Sequence, residues 1–168
     1  MSECDLTILA EQKAEAVVEK LKSFSLTLAL AESCTSGLVS GLLANTSGAS
    51  AVLWGSFVCY TQEAKISMLD LDNDALSADG LVSKETACSM AKSALQKSGA
   101  DFAVSVTGLA GPGGDNRVPV GTIWVAAAQR GGEKIKVKKF FFTGSRQSVR
   151  IRAVIAVLEM VLEVTPTV

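Results

Sequence analysis

Histidine does not occur anywhere in the sequence, and its absence removes whole classes of chemistry. Neither a Ser-His-Asp nor a Cys-His catalytic set can be assembled within this chain, and histidine-ligated metal sites are excluded as well. Cysteine is sparse: Cys4, Cys34, Cys59 and Cys88 lie too far apart for a C-x-x-C metal clip and read as small buried hydrophobes. No apolar run is long enough to span a bilayer. The N-terminal MSECDLTILAEQ lacks the basic start and apolar core of a signal peptide, so the cytoplasm is the expected compartment. An excess of either charge is also missing. Sixteen basic residues stand against seventeen acidic ones, a net charge of −1, which gives no electrostatic case for nucleic acid or a membrane surface. Any acid–base chemistry therefore falls to Lys, Tyr, Asp, Glu or Cys.

What is present describes one ordinary domain over residues 1–168. A chain of this size buries about two-thirds of the surface its unfolded form exposes, and 48% hydrophobic with 20% charged residues is a globular composition. Leu6 to Lys22 carries a helical stripe of apolar residues. Leu26 to Ala31 fits a buried strand, Thr35 to Ala44 a helix, and Phe57 to Tyr60 the end of a β-favouring segment that starts near Trp54. A short helix over Gln62 to Leu69 is ended by DLDND. Ser83 is the predicted N-cap of a helix running to about Lys97, with Gly99 as its stop. Phe102 to Val106 is a further strand, followed by the loop TGLAGPGGDNRVP. Val120 to Ala128 and Lys134 to Phe142 form a hairpin, and Ser145 or Arg146 opens a last helix ending before Pro166. The alternation of helices and strands predicts an α/β fold: a three-layer α/β/α domain with a mixed, mostly parallel sheet.

Four stretches have the residue types that chemistry needs. In Ala31 to Gly37, "AESCTSG", an apolar run gives way to hydroxyls at a strand-to-helix turn. Ligands gather at such turns in open α/β sheets, because helix N-termini offer unpaired N–H groups there; an ordinary N-cap is the simpler reading. Thr107 to Gly114, "TGLAGPGG", is a rigid glycine loop after a strand, matching neither a Walker loop nor a dinucleotide fingerprint. It serves equally well as a tight turn. In "YTQEAK", Lys65 is ordinarily a solvated charge. A lysine held neutral by partial burial can instead deprotonate a serine, with Tyr60 relaying the proton or orienting substrate. "GSRQSVRIR" sets Arg146, Arg150 and Arg152 near a helix start, either as a solvated basic face or as a phosphate-holding fork.

Taken with "GAS" (Gly48 to Ser50), "GLVS" (Gly80 to Ser83) and "PVGT" (Pro119 to Thr122), these blocks run in order along nearly the whole chain. As a set they resemble the CinA C-terminal domain family, whose stand-alone members include nicotinamide mononucleotide (NMN) deamidases. The resemblance implies a cofactor-free amidohydrolase that takes NMN to nicotinic acid mononucleotide and ammonia. Ser33 would be its nucleophile and Tyr60 and Lys65 its assistants, with no metal. It implies substrate contacts at Thr35, Ser36, Gly37, Ser50, Thr107, Gly108 and Arg146, the last for the 5′-phosphate. Pyrophosphatase activity belonging to the N-terminal domain of longer members is not expected, and self-association is compatible with a small α/β domain. Where the family typically reads S-C-T-G-G, this chain has Ser36 for the first glycine. A position needing φ > 0 or room for substrate would make that change costly. A non-catalytic nucleotide- or partner-binding module, or an amidase for another substrate, is the alternative. Cys34 is a second candidate nucleophile if a helix N-terminus yields its thiolate.

Overall fold

In the computed structural model, which describes residues 1–114 and 117–166, strands alternate with helices along most of the chain. The order is α1 (Glu3–Ser23), β1 (Leu28–Glu32), α2 (Leu38–Ala44), β2 (Leu53–Val58), α3 (Gln62–Leu69), α4 (Asn73–Asp79), α5 (Lys84–Ser98), β3 (Phe102–Gly108), β4 (Thr122–Gln129), β5 (Lys136–Phe141) and α6 (Arg146–Val164). Asp115 and Asn116, part of the expected glycine-rich loop, lie outside the described residues. The sheet order is β2-β1-β3-β4-β5. β1 pairs in parallel with β2 and β3, while β3–β4 and β4–β5 are antiparallel. Only β4 therefore runs against the other four strands, and the sheet is mixed and mostly parallel. No helix among the described residues is long and apolar enough to cross a membrane.

The two faces of the sheet are built differently, as period-2 alternation requires. Leu28, Leu30, Phe102, Val104, Val106, Ile123 and Val125 point to one face, where α1, α2 and α6 cover them. On the opposite face stand Ala29, Ala31, Ala103, Ala126 and Ala128, packed against Ala87, Met90, Ala91 and Ala94 of α5 and against Leu69, Leu71 and Leu76. Ser105 sits on that face too and donates to the Ala87 carbonyl at 2.6 Å. Large side chains thus fill one layer, and small ones let α5 lie close on the other.

Local chemistry explains where the helices begin and end. Ser83 caps α5 by accepting the Thr86 N–H, and Gly99 stops it at φ +66°. Thr61 caps α3 through the Ala64 N–H. Two expectations change. The helix expected from Thr35 starts only at Leu38, because Ser36 (φ +53°) and Gly37 (φ +86°) occupy the left-handed region and form a turn with Ser33 to Thr35. The DLDND stretch ends α3 with Asp70 at φ +51°, but Asp72 then accepts the Ala75 N–H at 2.7 Å and caps the extra helix α4.

Candidate active site

Parallel pairing brings the carboxyl ends of β1, β2 and β3 to one edge of the sheet. Ser33 follows β1 directly, its N–H donating to Val106 of β3 at 3.0 Å, while Cys59 after β2 donates its N–H to the Glu32 carbonyl at 2.8 Å. One turn into α3, Lys65 reaches back across this edge. Its Nζ lies 3.0 Å from Ser33 Oγ and 2.8 Å from the Cys59 carbonyl. Ser33 is 7% exposed and Lys65 only 1%. Among the described residues Lys65 forms no ion pair with a carboxylate. Burial therefore dominates and lowers its pKa from the ordinary lysine value, the opposing contributions being the Cys59 and Cys34 thiols. Those thiols are weak opponents, because burial raises the Cys59 pKa and pushes Cys34 up to about 12. Lys65 Nζ donates to both oxygens, and in the neutral form that burial favours, the same contact places its lone pair to receive the Ser33 proton.

Burial also bears on Cys34, the second candidate nucleophile. With its pKa near 12 through burial, Cys34 remains a thiol at neutral pH, so the thiolate route lapses. The helix N-terminus expected to serve the site is occupied from within the protein. Glu32, completely buried, accepts the N–H groups of Val39 at 3.1 Å and Ser40 at 3.0 Å. Its carboxylate also accepts the hydroxyls of Thr35 at 2.8 Å and Ser56 at 3.1 Å. Sequence reading passed over Glu32 as the residue that ended an apolar run. The available signal was its place directly after a strand expected to be buried, where a carboxylate demands partners.

A cleft of about 260 Å³ opens over this edge, lined by Ser33, Cys34, Tyr60 and Lys65, by Leu81 and Val82, by Thr107 to Ala110, and by Arg146. Arg146, from the first turn of α6, donates to the Tyr60 hydroxyl at 2.7 Å and to the Gly111 carbonyl. Tyr60 is half exposed and stands at the rim, hydrogen-bonded to Arg146 rather than to Ser33 or Lys65. Thr107 is buried and donates to the Leu81 carbonyl at 2.6 Å, tying the 80–83 segment to β3. At Gly108 a side chain is impossible without movement: a Cβ would sit 2.3 Å from Ile123 Cδ1 and 2.8 Å from the Thr122 carbonyl oxygen.

Four of the expected substrate contacts do not line the cleft. Thr35 is fully buried, with its hydroxyl on Glu32. Ser36 and Gly37 are not among the lining residues. Ser50, in the 3-10 turn before β2, lies near the amino end of β1, because Leu28 pairs with Leu53. At roughly 3.3 Å per residue of strand, that puts it on the order of 15 Å from Ser33. The arginine cluster also divides. Arg150 donates to the carbonyls of Cys34 at 3.0 Å and Thr35 at 2.8 Å, clamping the turn. Arg152 faces Ser148, which leaves Arg146 at the cleft. A larger groove, about 450 Å³ between α1, α2 and α6, is lined by apolar side chains such as Leu38, Leu42 and Ile151 and by Thr7, Arg146, Gln147 and Arg150, and neither Ser33 nor Lys65 is among its lining residues. No group of three or more Cys, Asp or Glu side chains among the described residues is placed to hold a metal.

Residues 10–165 match the model described as the CinA C-terminal domain. A CinA-like protein of Chloroherpeton thalassium is 43% identical over 152 residues, covering 89% of this chain and 36% of the relative. Another from Geotalea daltonii is 44% identical over 131 residues, 77% of this chain and 31% of the relative. The chain thus spans about a third of the length of these curated relatives. Among solved structures, the competence/damage inducible protein CihA from Agrobacterium tumefaciens has a TM-score of 0.88 at 38% identity, covering 92% of this chain and 94% of that one. A competence-damaged protein (CinA) superfamily protein from Escherichia coli has a TM-score of 0.86 at 30% identity, covering 92% and 89%.

Proposed function

The chain belongs to the CinA C-terminal domain family, and from that premise we propose that it is an amidohydrolase that releases ammonia from the carboxamide of NMN. One observation supports this reading above the others: a buried lysine without a carboxylate partner, its Nζ 3.0 Å from a serine Oγ at the edge of a cleft. In this reading neutral Lys65 takes the hydroxyl proton as Ser33 Oγ attacks the carboxamide carbon. General-base assistance of this kind contributes about 10²–10⁴-fold. The pyridinium of the substrate, a second positive charge near Lys65, further disfavours the ammonium form before reaction.

Attack places negative charge on the carboxamide oxygen. Within the nucleophile turn, the Ser33 N–H is committed to Val106 and the Ser36 N–H to the Ser33 carbonyl. That leaves the N–H of Cys34, which lines the cleft, as the oxyanion donor from this turn, worth roughly 3–4 kcal/mol in such a role. Collapse breaks the C–N bond, and the Lys65 ammonium returns its proton to the departing ammonia. Water, deprotonated by Lys65, then cleaves the acyl-enzyme to give nicotinic acid mononucleotide. Tyr60 and Arg146, joined at the rim, hold the ribose-phosphate end, with the guanidinium as the phosphate contact.

Ammonia release from NMN, without added metal, tests the reading. Wild type should turn over and Ser33→Ala should lose at least about 10³-fold. Undiminished Ser33→Ala activity would remove Ser33 from the mechanism. Thermal stabilisation by NMN with no ammonia from wild type would make the protein a binding module. Equal kcat/KM for NMN and nicotinamide riboside would remove Arg146 as a phosphate contact.

A further inference from the structure

Glu32 has the most hydrogen bonds of any side chain at the site, yet the chemistry above gives it no task. A carboxylate offers about four lone-pair positions, and here Thr35, Val39, Ser40 and Ser56 fill them. With no acceptor capacity left and no exposure, Glu32 is unavailable to substrate or to the Ser33 proton. Its contacts instead join three segments around the nucleophile. Thr35 belongs to the turn, Val39 and Ser40 to the start of α2, and Ser56 to β2. The backbone completes the link: the Glu32 carbonyl accepts from Cys59 N–H, and the Cys59 carbonyl accepts from Lys65 Nζ. Nucleophile and base are thus tied through the same residue.

We propose that Glu32 is a positioning residue that holds the 33–37 turn in the one geometry that aims Ser33 Oγ at Lys65, and so sets the reactivity of Ser33 without touching substrate. This inference rests on Ser33 being the nucleophile. The turn needs such an anchor, since Ser36 holds a left-handed conformation within it that short L-residue turns do not keep unaided. Replacing Glu32 by Gln preserves volume but exchanges one acceptor oxygen for an NH₂. Both oxygens accept a backbone N–H, which cannot reverse its polarity, so either orientation of the amide loses one of these bonds and loosens the turn. A displacement of the nucleophile by an ångström is worth on the order of 10²-fold in rate.

The test measures Ser33 acylation apart from any particular amide. The full chain is treated with an alkyl fluorophosphonate at a temperature where circular dichroism shows each variant fully folded, and adduct growth is followed by intact mass. In this step Ser33 Oγ bonds to phosphorus, fluoride leaves, and Lys65 takes the hydroxyl proton. Glu32→Gln should label about 10–100-fold more slowly than wild type. Thr35→Val should slow labelling about 10-fold, and Thr35→Ser, which keeps the hydroxyl, should stay within about threefold of wild type. With NMN, Glu32→Gln should lower kcat by a similar factor while KM moves less than about threefold. Wild-type labelling rates in folded Glu32→Gln would overturn the proposal by assigning Glu32 to stability alone. If Glu32→Gln fails to fold, equal rates in Thr35→Val and Thr35→Ser would overturn it. A wild type that takes no adduct on Ser33 would refute the nucleophile reading itself, and this inference with it.

Discussion

Replacing Ser36 by glycine should make the protein more stable and leave its chemistry nearly unchanged. Ser36 holds φ +53°, a left-handed conformation that costs an L-residue roughly 1–2 kcal/mol. Its side chain is exposed and contributes no hydrogen bond to the turn, while its N–H bond to the Ser33 carbonyl at 3.1 Å survives in glycine. Against the relief stands the greater freedom of glycine in the unfolded chain, roughly 0.5–1 kcal/mol. The balance is a gain of about 0.5–1 kcal/mol. For a domain of this size each kcal/mol moves Tm by about 2–4 °C, so thermal unfolding followed by circular dichroism should show a rise of about 1–4 °C. Ser36→Val, with a β-branched side chain in the same conformation, should move Tm the other way. Because the turn already has the backbone of a glycine at this position, Ser33 and Lys65 stay 3.0 Å apart, and the rate of NMN hydrolysis in Ser36→Gly should remain within about threefold of wild type. A Tm fall of 2 °C or more in Ser36→Gly would refute the strain assigned to the turn.

Since burial lowers the Lys65 pKa, kcat/KM should rise about tenfold per pH unit and level off at an inflection below the ordinary lysine value of 10.5; an inflection at or above 10.5 would deny Lys65 the role of base. Lys65→Arg, charged at every accessible pH, should be inactive in the same assay. The same shift acts on stability. Between its folded pKa and 10.5 the unfolded chain binds the proton more readily than the folded one, so the Lys65 contribution is whole above 10.5 and is lost as pH falls through the folded value. Lys65→Met should therefore gain Tm relative to wild type as pH drops from 10.5, and a difference independent of pH would contradict this. Gly108→Ala should lose about 1–3 kcal/mol, because its Cβ would meet Ile123 and the Thr122 carbonyl; an unchanged Tm would show that β4 yields easily there.

Local signals in the sequence were enough for elements whose ends are written in side-chain chemistry. Helix α3 runs over Gln62–Leu69 as read, and α5 has both its Ser83 cap and its Gly99 stop. Helix α4 escaped because Asp72 does two things that look alike in one dimension, following the end of one helix and capping the next. The meeting of Ser33 and Lys65 is not legible in spacing, since they are 32 residues apart; it comes from the parallel pairing of β1 and β2, and in the sequence only family resemblance pointed to it. Glu32 and Arg150 were missed as supports because their partners are mostly backbone groups, which every residue possesses and no motif displays. Ser50 shows the converse: a residue inside a recognised block that the strand register carries to the far end of the sheet.

The alanine-lined face of the sheet has a consequence for the width of the cleft. Ala29, Ala31, Ala103 and Ala126 act as spacers of minimum thickness beneath α5, and the 80–83 segment just ahead of that helix forms one wall of the cleft through Leu81 and Val82. The Thr107–Leu81 hydrogen bond couples that wall to β3. A methyl or two added at these alanines would lift α5 outward like a shim under a hinge plate, and the wall would move with it, away from Ser33. The size of substrate admitted at one edge of the sheet is in this sense gauged by the smallest side chains in its middle.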